Sequence, residues 1–113
     1  MTPSPDFRED LLQILQDQNR DALALLATAT TPKMRQAILD EAEKILARMD
    51  EAQNLRLVKV TGNLLAALDE LKAADVRLKE ELQGVADVAT LIDKVSGFLA
   101  VVDQVIDLAR GRA

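Results

Sequence analysis

The chain contains no cysteine, histidine, tryptophan or tyrosine, and its only aromatic residues are Phe7 and Phe98. Without cysteine there is no disulfide staple and no thiolate for redox or nucleophilic chemistry. Without histidine the commonest general base and the commonest metal-binding ring are both missing. The hydroxyl candidates, Ser4, Thr28, Thr30, Thr31, Thr61, Thr90 and Ser96, therefore have no imidazole to activate them. A Ser-Lys pair is no better served. Lys94 and Ser96 are two positions apart, and on a helix such residues point in different directions. The four glycines, Gly62, Gly84, Gly97 and Gly111, are dispersed. No glycine-rich loop for cradling phosphate can be drawn from them. The chain is expected to be non-enzymatic, with no catalytic residues, no cofactor and no metal.

Other absences bear on location. No run of 18 apolar residues exists, so no segment is expected to span a membrane as a helix. Residues 1–10 carry neither the basic start nor the apolar stretch of a secretory leader. A cytoplasmic protein is the resulting expectation.

What the chain does have is helix-forming material. Of its 113 residues, 49% are hydrophobic, and these are mostly alanine and branched aliphatics. Ala, Leu, Glu, Lys, Gln and Arg, the strongest helix formers, supply much of the remainder. The net charge is −5, which repels phosphate backbones and anionic lipid surfaces. Nucleic acid is not an expected partner, and a membrane surface is disfavoured.

Every seventh residue from position 57 is apolar: Leu57, Leu64, Leu71, Leu78, Val85, Ile92, Leu99 and Ile106. Such a ladder is the seam of a packed helix. Together with the stripes further upstream it predicts one domain over residues 1–113, an all-α antiparallel four-helix bundle running up-down-up-down. The helices are expected at about 6–28, 32–59, 63–83 and 85–109. Pro5 or Asp6 suits the start of the first. Thr31-Pro32 is a good cap and first residue for the second. The stripe of the second helix shifts phase by nearly half a turn between Ala52 and Leu57. A turn at Gln53-Asn54 or at 60–63 would account for it, and the weak helix formers Val58, Val60, Thr61 and Gly62 favour 60–63. Gly84 suits a helix stop. The ladder keeps its phase through Gly84, so a rival arrangement stays open: one continuous helix over 63–109 that pairs with another chain as an oligomeric coiled coil. The expected core is Leu11, Leu15, Leu26, Ile38, Ile45, Leu64, Leu68, Leu71, Leu78, Ile92, Val95, Leu99, Val102 and Ile106.

The acidic clusters Asp40-Glu41-Glu43, Asp50-Glu51, Asp69-Glu70 and Glu80-Glu81 are expected on solvated helix faces. Asp75, between Leu71 and Leu78, suits either a surface place at a helix end or a buried polar position that sets pairing. The candidate binding residues all lie on the fourth helix. Gly97 would let another helix approach, and Val101 and Leu108 stand off the main seam and extend its wide apolar face. These features point to a protein–protein interaction module of the adaptor, small chaperone, immunity or regulatory-subunit kind, with a protein partner or self-association. Two alternatives are an amphipathic surface-active or lipid-associated protein and a self-assembling coiled-coil structural protein.

Overall fold

The computed structural model describes residues 7–55, 62–85 and 87–110. They form four helices: α1 (Phe7–Ala24), α2 (Pro32–Gln53), α3 (Gly62–Leu82) and α4 (Val88–Ala109). α1 packs on α2 and on α3, while α4 packs on α3 and on α2. The helices thus stand at the corners of a square in the order α1, α2, α4, α3, and the expected four-helix bundle forms. Contacts along the helices set their directions. Asp10 pairs with Lys72 and Asp17 with Lys79, so α1 and α3 run parallel. Arg48 pairs with Asp103 and Glu51 with Arg110, so α2 and α4 run parallel as well. Antiparallel packing lies within each hairpin, α1–α2 and α3–α4. The rival continuous helix over 63–109 does not form. The chain leaves α3 at Leu82, turns through Gln83 and Gly84, and returns antiparallel as α4.

Local chemistry explains the helix ends. α1 gives way to a short 3₁₀ turn at Leu25–Ala27, with the Leu25 carbonyl accepting from the Thr28 and Ala29 amides and from the Thr28 hydroxyl, each at 3.1 Å. The helix expected to reach residue 28 therefore tightens four residues earlier. At the start of α2, Thr31 has an extended backbone and its hydroxyl oxygen accepts from the Met34 amide at 3.1 Å, with Pro32 in the first turn. α2 ends at Gln53 rather than 59, because Asn54 closes it by donating its side-chain amide to the Asp50 carbonyl at 2.9 Å. Gly62 and Asn63 belong to the first turn of α3, not to a turn ahead of it. The rest of the expected 60–63 turn, Leu57 and the Pro5-Asp6 start lie outside the described residues. α4 begins at Val88 rather than 85, capped by Asp87, whose carboxylate accepts from the Thr90 amide at 2.7 Å and the Thr90 hydroxyl at 2.9 Å.

One continuous core runs through the bundle. Leu11, Leu15, Ile38, Ile45, Leu64, Leu71, Leu91, Val95, Val102 and Ile106 are essentially fully enclosed. Two expected core residues fall outside it. Leu26 only half-enters, since it sits in the 3₁₀ turn at the end of the α1–α2 hairpin. Ile92 is 40% exposed. At its start α4 presents Leu91, Val95 and Phe98 inward, and of the ladder positions on this helix Leu99 and Ile106 are buried while Ile92 is not. The ladder position at 92 is turned to the flank.

Candidate functional site: two grooves flanking α4

α4 stands between α2 and α3, and a groove runs along each of its flanks. The α3/α4 groove has a volume of about 620 Å³ and a floor of Ala74, Leu78, Phe98 and Val101. Gly97 forms part of its edge, and a Cβ placed there would meet nothing within 4 Å. Among the described residues no helix therefore makes the close approach that Gly97 would permit. Lys94 spans the groove to Glu81 at 2.8 Å, and that contact holds the ammonium above its ordinary pKa. Val101 is half-buried against the core as well as facing this groove. Leu108 is half-buried against the core two turns further on and lines neither groove. The structure thus brings Gly97 and Val101 together and leaves Leu108 apart from them.

The α2/α4 groove is larger, about 890 Å³, and lies between two parallel helices. Ala37 and Ala47 from α2 and Val88 and Ile92 from α4 supply its apolar surface. Lys33, Gln36, Asp40, Glu43, Lys44 and Arg48 form its rim. Arg48 is engaged: its guanidinium donates through Nε and Nη2 to the two Asp103 carboxylate oxygens at 3.0 and 3.1 Å. This two-pronged bond raises the Arg48 pKa further above its already high value. It also ties α2 to α4 at one end of the groove.

Glu41 departs most sharply from the sequence reading, which placed it on a solvated face. It is 1% exposed and lines this groove. Lys44 donates to Glu41 Oε2 at 2.7 Å, on the same helix and from a side chain that is itself 49% exposed. Glu41 Oε1 is buried and accepts no hydrogen bond among the described residues. A buried carboxylate oxygen is costly to leave without a donor. The signal for its burial was present in the sequence: Glu41 lies three residues after Ile38 and four before Ile45, in register with the inward stripe of α2.

Sequence reading also passed over Gln18, which is fully enclosed between α1 and α3. Its amide donates to Asp75 Oδ1 at 2.6 Å and to the Asp75 carbonyl at 3.0 Å. Asp75 is buried, so of the two places open to it the pairing position is the one it occupies. Among the described residues no three carboxylates come together in a metal-ligating group. No described helix is long and apolar enough to cross a membrane. Comparison with protein families, with characterised proteins and with solved structures gives no match to this chain.

Proposed function

We propose that this chain is a non-enzymatic interaction module that offers the flanks of α4 to a partner protein in the cytoplasm. The observation that carries the reading is Ile92. It is a large aliphatic side chain at a core-like spacing, yet it stands 40% exposed beside Val88 in a groove bounded by two parallel helices. Leu39, Leu46, Leu65 and Val76 are more exposed, but Ile92 is the exposed large aliphatic that lines this groove, and grooves between helices are a recurrent seat for a partner's helix. The open space at Gly97 on the opposite flank gives a second, smaller surface of the same kind.

The test is a photoreactive residue placed at position 92, compared with one at Val76, which is 58% exposed on α3 and lines neither groove. Irradiation in the cells that make the protein should yield a discrete adduct with a different protein at 92 and little at 76. An adduct of twice the chain mass would assign the groove to self-association instead. Absence of any protein adduct at 92, together with flotation of the purified chain on lipid vesicles, would replace this reading with the lipid-associated one.

A further inference from the structure

We propose that the α2/α4 groove receives an amphipathic helix of the partner protein, and that a lysine or arginine on that helix donates to Glu41 Oε1. This rests on the interaction reading above and specifies the occupant. Three observations support it.

The first is the unmet valence. Glu41 is almost fully enclosed, lines the groove, and has one carboxylate oxygen without a donor among the described residues. An arriving N–H group would supply what burial took away.

The second is charge. Arg48 is already matched by Asp103, and Lys44 is matched by Glu41 through only one of its oxygens. Counting Asp103, the carboxylates at the groove, Asp40, Glu41, Glu43 and Asp103, outnumber its cations Lys33, Lys44 and Arg48 by one. The missing complement is a single positive charge. An anionic partner would add to the excess, and a wholly apolar one would leave Glu41 as it is.

The third is shape. The α2 residues lining the groove run from Lys33 to Arg48, a span of about 22 Å at 1.5 Å per residue. Ala37, Ala47, Val88 and Ile92 provide an apolar bed along it. That length accommodates roughly four turns of helix lying along α2, with α4 contributing one turn of wall through Val88 and Ile92. In the free protein Lys44 acts as a stand-in. It donates to Glu41 Oε2 and is exposed enough to swing away when a better-placed cation arrives.

The probe is a synthetic Ala/Leu-based helical peptide of about 15 residues, long enough to fill the groove. It carries lysine at the centre of its apolar face, and a matched peptide carries norleucine there. Each is titrated into ¹⁵N-labelled protein. Amide shifts should map to Ala37, Glu41, Val88 and Ile92, with the lysine peptide binding roughly tenfold or more tightly than its norleucine twin. Glu41→Gln, which keeps the side-chain shape, should abolish that preference. Lys44→Met should widen it, because Glu41 then has no internal partner; a purely structural Glu41–Lys44 pair would not give this result. Equal binding of the two peptides, a preference that survives Glu41→Gln, shifts mapping away from the groove, or no binding by either peptide would each overturn the proposal. The crosslink at position 92 makes no use of Glu41, so the broader interaction reading stands or falls separately.

Discussion

At the scale of single residues, the bundle carries more buried polarity than an apolar ladder suggests, and its placement has consequences. Gln18 and Asp75 face each other across two parallel helices, and Lys79 stands 3.7 Å from the second Asp75 oxygen. Removing one partner strands the other away from water. Gln18→Leu or Asp75→Leu alone is therefore expected to cost about 1–3 kcal/mol. The double replacement removes both polar groups and should return most of that loss. Urea denaturation of the four proteins checks this as a double-mutant cycle, with a coupling of about 1–3 kcal/mol predicted and simple additivity the contrary result. Asp75 was legible because it sits between Leu71 and Leu78 on an otherwise apolar seam. Gln18 occupies an equivalent place, three residues after Leu15 and four before Ala22, and Glu41 does so on α2. Polarity hid them. A reading that sorts residues by hydropathy assigns a lone Gln or Glu to the surface even when helical register turns it inward.

At the scale of elements, capping chemistry sets the boundaries more sharply than periodicity does. The Thr31-Pro32 start is legible because both residues have strong positional preferences. The start of α4 was harder to place, since Val85 continues the heptad row across the connection. Asp87, three residues before Thr90, is the better marker, because its carboxylate satisfies the Thr90 amide. Those hydrogen bonds, from the Thr90 amide first and the Thr90 hydroxyl second, hold the Asp87 carboxyl below its ordinary pKa. The sign follows from the folded value lying below the unfolded one. The cap's charge-dependent stabilisation is fully present above the ordinary aspartate value of about 3.9 and is lost as pH falls through the lowered folded value. Asp87→Asn keeps an acceptor at the cap but does not titrate there. The stability advantage of the parent over Asp87→Asn should be constant near neutrality and shrink as pH drops below about 4. A difference that stays constant from neutral pH into that acid range would show that the carboxylate does not act as the cap in solution.

At the scale of the whole molecule, the fold class was legible because every helix carries its own apolar stripe and four such stripes close on one another. The parallel pairing of α1 with α3 and of α2 with α4 was not, since periodicity says which face is buried and not which neighbour covers it. The same limit explains Ile92. Ile92 shares its seven-residue row with Leu99 and Ile106, which are buried on the same helix, so heptad spacing alone does not single it out. The bundle measures 50 × 27 × 23 Å, and its core closes through Leu91 and leaves Ile92 on the flank. The apolar α4 side of the groove, and with it the proposed partner helix, depends on Ile92 standing outside the core. The most direct test is the unfolding free energy of Leu91→Ala beside that of Ile92→Ala in denaturant. Leu91 is fully enclosed, so its truncation should cost about 2–5 kcal/mol. Ile92→Ala should cost under about 1 kcal/mol, as expected for a largely surface change. Equal losses, or the larger loss at Ile92, would put Ile92 inside the core and remove the groove on which the functional account stands.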